Sequence, residues 1–124
     1  MIQDLIGIPY EKHGRTTKGL DCYGLVHLVY GRLGKELPNF PEDYTELLNI
    51  HNAIEENKSK FIELEKPEPY CIVTFSIYPP YVTHIGVVLD DCKRFIHIME
   101  KRNVTIEKLD KWQKRIRGFY KWTK

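Results

Sequence analysis

Cysteine is scarce in this 124-residue chain: Cys22, Cys71 and Cys92 are an odd number and form no Cys-x-x-Cys pair. A disulfide framework needs an even set and a zinc ribbon needs close pairs, so neither is expected and at least one thiol should be free. Long apolar runs are also missing, since no window approaches the roughly 18 apolar residues of a membrane-spanning helix. The opening MIQDLIGIPYEKHG has no basic segment followed by an apolar stretch of about 7 to 15 residues. No signal peptide and no membrane insertion are therefore expected. Charge of one sign is not in excess: 19 Lys and Arg against 17 Asp and Glu leave a formal +2. That falls short of the concentrated basic surface of a dedicated nucleic-acid binder. The sequence contains no internal repeat, linker or low-complexity segment.

What is present is the composition of a folded domain. Hydrophobic residues at 42% and charged residues at 29% lie near globular averages. Residues 1–124 are expected to form one domain, burying about two thirds of the unfolded surface. After a loop rich in Gly, Pro and Tyr, the apolar residues Leu25, Val26, Leu28, Val29 and Leu33 recur at helical spacing. Asp21 suits the N-cap of that helix and Gly34 its C-terminal stop. LPNFPEDYTELLNIHNAIEENKSKF then predicts one or two short helices from about Asp43 to Lys60, with a break near Asn52. From Phe61 onward, β-branched and aromatic residues dominate YCIVTF, THIGVVLD, RFIHIM and NVTIEKL. RIRGFYKW alternates Ile116, Gly118, Tyr120 and Trp122 against Arg115, Arg117, Phe119 and Lys121, a half-buried strand pattern. Helices first and strands afterwards predict an α+β domain, with N-terminal helices packed on a central antiparallel sheet.

The candidate chemistry begins at Cys22, which follows Asp21 at the head of the first helix. A thiol attacks carbonyl carbon as the thiolate, and an ordinary cysteine holds only a few per cent of that form at neutral pH. The N–H groups of a helix start contribute about 0.3 to 1 kcal/mol. A cationic imidazole about 4 Å away contributes on the order of 4 kcal/mol at an effective dielectric of 20. A histidine partner therefore matters more than the helix, although the N–H of the cysteine itself is well placed for an oxyanion.

Spacing sorts the five histidines. His27 lies five positions after Cys22, about 500° around the helix axis, and cannot meet the sulfur. His51, in the polar helical region, reads as a solvated surface residue. His84 and His97 fall on two predicted strands joined through DDCK. A hairpin centred between Asp91 and Cys92 pairs Gly86 with His97 and puts His84 on the same face, diagonally displaced. A three-residue loop would shift the register by one and separate the two rings.

GIPYEKHGRTTKGLDCYGLVHLVYGRLGKELP, followed by HIGVVLDDCKRFIH, resembles the NlpC/P60 papain-like cysteine peptidases. Their pattern runs Gly-x-Pro-Tyr, Gly, Asp-Cys-x-Gly-Leu, Leu-Pro, His-[Val/Ile]-Gly, then a third polar residue, and the likeness spans nearly the whole chain. It implies a papain-like fold in which Cys22 is the nucleophile, His84 the base paired with it and His97 the residue that orients His84. It further implies that Tyr10 helps to hold the oxyanion or the substrate, and that Asp21 caps the helix and fixes the cysteine loop. His13 stands where the family has one of a pair of glycines; it either lines the mouth of the cleft or replaces a glycine on the surface. The implied substrate is the peptidoglycan stem peptide, cut between γ-linked D-glutamate and the diamino acid that follows, with no cofactor and no metal.

Tyr23 directly after the cysteine and the closing WQKRIRGFYKW look most like the family's bacteriophage tail branch. That resemblance implies phage tail proteins as partners, and a place in the virion tail or in the host cytoplasm before assembly. A structural tail-assembly component with little or no hydrolytic activity is the competing reading. One departure concerns a turn: the family carries Pro-Gly-Asp ahead of the histidine strand, and this chain reads KPEPYCIVTF.

Other readings compete at single residues. Cys71, between Tyr70 and Ile72 in a strand, is expected in the core, and Cys92 in a turn. Tyr10 could simply pack. Cys22, His84 and His97 would suit zinc as ligand types, but the usual short spacings are missing. The basic and aromatic C-terminal segment is explained more simply by an amphipathic strand than by nucleic-acid stacking.

Overall fold

The computed structural model describes residues 2–37 and 47–122. Arg15–Thr16 (β1) and Gly19–Leu20 (β2) form a small antiparallel ribbon, followed by helices Cys22–Arg32 (α1) and Leu47–Asn57 (α2). Strands follow at Phe61–Leu64 (β3), Ile72–Phe75 (β4), His84–Val88 (β5), Arg94–His97 (β6), Thr105–Lys108 (β7) and Ile116–Trp122 (β8). These make one six-stranded antiparallel sheet in the order β3-β8-β4-β5-β6-β7. The expected α+β arrangement is therefore present. No helix among the described residues is long and apolar enough to cross a membrane.

Helix α1 has the expected signals at both ends. The Asp21 side chain accepts from the Gly24 N–H at 2.7 Å, which satisfies a donor that the helix itself leaves unpaired. At the other end Gly34 takes φ +77°, and the Lys35 N–H returns to the Tyr30 carbonyl at 2.9 Å, a left-handed stop that suits glycine. Leu25, Val26, Val29 and Tyr30 are buried between this helix and the sheet.

The central strands β4 and β5 are buried along their full length, which requires cover on both faces. On one face Ile72, Ile85, Val87, Ile96 and Tyr120 join the helix residues in the main core. On the other, Cys71, Val73, Phe75, Val88, Phe95 and Leu109 form a second cluster, partly covered by Trp112 and Phe119. Cys71 is thus a core residue, as expected, and Cys92 lies in the β5–β6 turn with φ +59°.

Three elements depart from the sequence pattern. Helix α2 runs unbroken through Asn52 and tightens into a 3-10 turn over Lys58–Lys60; its expected start near Asp43 lies outside the described residues. The N-terminal loop contains the β1–β2 ribbon, whose two-residue strands are too short to show alternation. β3 is an additional edge strand paired with β8, and its Ile62 is exposed.

Candidate active site

Cys22 occupies the first position of α1, and the loop before it is tied down through Asp21. Besides capping Gly24, the buried Asp21 carboxylate accepts from the backbone N–H of His13 at 3.1 Å and from Arg15 Nη1 at 2.7 Å. Arg15 also donates to the Gly14 carbonyl at 2.9 Å and lies 5.7 Å from the centre of the Tyr23 ring. Gly24 is required by close approach: a Cβ there would stand 2.0 Å from the Gly14 carbonyl oxygen. Asp21 thus works from behind the cysteine, among protein partners. Arg15 went unnoticed in the sequence, where nothing in its spacing marks it.

The two histidines meet. Strands β5 and β6 pair Val87 with Ile96 and Val88 with Phe95, and the same register continued sets Gly86 opposite His97. His84 and His97 are then diagonal neighbours, with His84 Nε2 and His97 Nδ1 2.8 Å apart. Gly86 makes room for this: a Cβ would lie 2.9 Å from the Ile96 carbonyl oxygen and 3.2 Å from His97 Cβ. Aromatic rings enclose the pair, with Phe75 5.3 Å from His84, and Phe95 and Trp112 4.5 and 5.3 Å from His97, between ring centres.

Burial dominates the electrostatics. It draws His84 down to about 3, with the neighbouring His97 adding to the effect. His97 is also lowered by burial, against the opposing pull of Glu107. The Cys22 sulfur is approached by the backbone N–H groups of Ile85 and Tyr23, so the thiol lies against the peptide that follows His84. Those N–H groups and Arg15 favour the thiolate. Burial and Asp21 outweigh them and push the thiol up to about 12. The N–H groups at the helix start therefore pull the thiol down, as a helix N-terminus does, but burial outweighs them, and burial likewise pulls His84 down.

Tyr10 is half-buried, and its hydroxyl is pushed up to about 12 by burial and by the neighbouring Cys22, Asp21 and Glu100. It stands near the thiol as a neutral O–H donor. His13 is partly buried at φ +62°, left-handed backbone that glycine adopts freely. The turn before β4 repeats this, because Tyr70 follows Pro69 at φ +62° and its carbonyl accepts from the Tyr30 hydroxyl at 2.5 Å.

Two residues belong to the site's surroundings beyond those the sequence pointed to. Glu107 on β7 brings Oε2 to 2.5 Å from His97 Nε2. His51 is not a merely solvated residue: its Nδ1 accepts from the Val82 N–H at 2.8 Å and its ring meets Tyr81 edge-on at 5.7 Å, which holds the segment entering β5.

A cysteine opening a helix against an antiparallel sheet, with paired histidines on adjacent strands, defines an α+β domain with a candidate thiol site. Within that class the chain belongs to the NlpC/P60 family, whose profile matches residues 7–121. Solved structures agree in fold. A lipoprotein-like NLP/P60 protein of Staphylococcus aureus subsp. aureus Mu50 is 24% identical over 97% of this chain and 38% of its own, with a TM-score of 0.66. NlpC2 of Trichomonas vaginalis is 19% identical over 98% of this chain and 44% of its own, at 0.73. The NlpC/p60 domain of the peptidoglycan hydrolase SagA is 17% identical over 94% of this chain and 88% of its own, at 0.62. The chain thus spans less than half the length of the S. aureus and T. vaginalis proteins. No curated protein matches it.

Proposed function

We propose that this chain is a cysteine hydrolase of peptidoglycan stem peptides, cutting between γ-linked D-glutamate and the following diamino acid, and that it serves a phage tail. One observation carries the chemistry: the Cys22 thiol lies against the His84–Ile85 peptide while His84 Nε2 is held 2.8 Å from His97 Nδ1. Family membership and the likeness to SagA, a peptidoglycan hydrolase, support the substrate class. Tyr23 and the closing WQKRIRGFYKW support the tail association.

Burial disfavours a lone thiolate and a lone imidazolium alike, so proton transfer is coupled to attack. As Cys22 sulfur bonds to the amide carbon, its proton passes to His84, and His97 keeps that ring in place. The oxyanion is received by the Cys22 N–H, a donor the helix leaves unpaired, and by the Tyr10 hydroxyl. The tetrahedral centre collapses, His84 gives the proton to the departing amine, and a thioester remains. Water then attacks the thioester with His84 again as base, releasing the carboxylate and restoring the thiol.

Purified peptidoglycan treated with the wild type should release stem-peptide fragments whose masses place the cut after D-glutamate, and Cys22→Ala should release none. Intact peptidoglycan with a correctly folded wild type would favour the structural tail component instead.

A further inference from the structure

We infer that Glu107 is a positioning residue that sets the tautomers of both histidines, so that His84 presents an unprotonated Nδ1 as the base. The inference rests on the hydrolase reading for its catalytic meaning but not for its geometry. A carboxylate can only accept, so the 2.5 Å contact from Glu107 Oε2 requires the hydrogen of neutral His97 to sit on Nε2. His97 Nδ1 then carries a lone pair and accepts across the 2.8 Å contact, which requires the hydrogen of His84 on Nε2. The remaining ring nitrogen, His84 Nδ1, is left with its lone pair for the proton of Cys22. Without Glu107 the His84–His97 contact is satisfied equally well by the reverse order, with His97 donating from Nδ1 and His84 Nδ1 already protonated, and the base is lost.

Among the described residues, the side-chain acceptor bonded to this end of the series is Glu107. His97 is 1% exposed, enclosed by Phe75, Phe95 and Trp112. The charged groups facing it are cationic, apart from Glu107: Arg102 acts on His97, and Lys111 Nζ lies 3.9 Å from the other Glu107 oxygen. Glu107 itself borders a cavity of about 420 Å³ that it shares with His97, Arg102, Trp112 and Arg115. One carboxylate oxygen thus serves the buried ring while the side chain keeps contact with solvent.

Two-bond proton–nitrogen correlation spectra of the full chain, labelled with 15N-histidine at pH 7, read the tautomers directly. The wild type should show both His84 and His97 protonated on Nε2. Glu107→Ala should convert a substantial part of both to the Nδ1–H form and slow peptidoglycan digestion roughly 10- to 100-fold. Glu107→Gln, which retains an acceptor oxygen, should restore most of the tautomer order and part of the rate. Wild-type His97 protonated on Nδ1 would overturn the inference without any variant, even if Glu107→Ala failed to fold. Unchanged tautomers, or an unchanged rate, in folded Glu107→Ala would overturn it too. A wild type that digests nothing but shows the expected tautomers would sink the hydrolase reading and leave this one standing.

Discussion

Asp21 shows how much one carboxylate can hold. It gathers the Gly24 N–H, the His13 N–H and the Arg15 guanidinium, and so fixes the helix start and the preceding loop as one unit. Asp21→Ala should destabilise the protein by about 2 to 3 kcal/mol, combining a lost cap with buried donors left unmatched. Asp21→Asn keeps an acceptor for Gly24 and loses the ion pair, so a loss of about 1 kcal/mol is expected, discounted because Arg15 is partly exposed. Urea unfolding with an unchanged denaturant slope is the measurement for both. Two other residues do what glycine does more readily, since His13 and Tyr70 both hold left-handed backbone. At Tyr70 the hydrogen bond from Tyr30 to its carbonyl secures the conformation.

At the scale of elements, the site depends on how closely β5 and β6 approach. Gly86→Ala introduces a methyl 2.9 Å from a backbone oxygen of β6, so the strands must part where His97 is delivered. A stability loss of about 1 to 3 kcal/mol is expected. Digestion should fall far more than stability does, on the order of 100-fold for a displacement near 1 Å, with circular dichroism confirming the fold. Much of this geometry was legible beforehand. The ends of α1 are signalled by cap residues that act locally, and the DDCK turn is short enough that counting residues narrows the β5–β6 register to two alternatives, of which the structure has the one that pairs Val87 with Ile96. Glu107 was not legible, because its place beside His97 depends on the β6–β7 pairing of His97 with Thr105 and Phe95 with Glu107. The connection between those strands is too long for residue counting to set that register. Arg15 was hidden for a related reason, since its partner lies six positions away across a ribbon with strands of only two residues.

For the molecule as a whole, buried ionisable groups predict a plateau of stability with a fall on either side. On the acid side, an unfolded chain protonates His84 near its ordinary value of 6.5, whereas the folded chain resists until about 3. Between those values the unfolded state binds more protons, so stability drops as pH falls, by up to about 1.4 kcal/mol per pH unit for each such group. His97 shifts in the same direction and steepens the decline. On the alkaline side, the unfolded Cys22 thiol ionises near 9 while the folded one stays protonated to about 12, and Tyr10 and Cys71 are raised in the same sense. There the folded state binds more protons, and stability falls as pH rises. The plateau should therefore lie between about 6.5 and 9, the ordinary values of the two opposing groups. Urea midpoints measured from pH 4 to 10.5 test this. His84→Gln should reduce the acid slope, leaving the part due to His97, without changing the alkaline one, and Cys22→Ala should reduce the alkaline slope alone, leaving the part due to Tyr10 and Cys71. A wild-type midpoint that stays level from pH 6.5 down to 4.5 would mean that His84 takes up its proton in the folded state, and that the buried imidazole pair is not held neutral as its surroundings require.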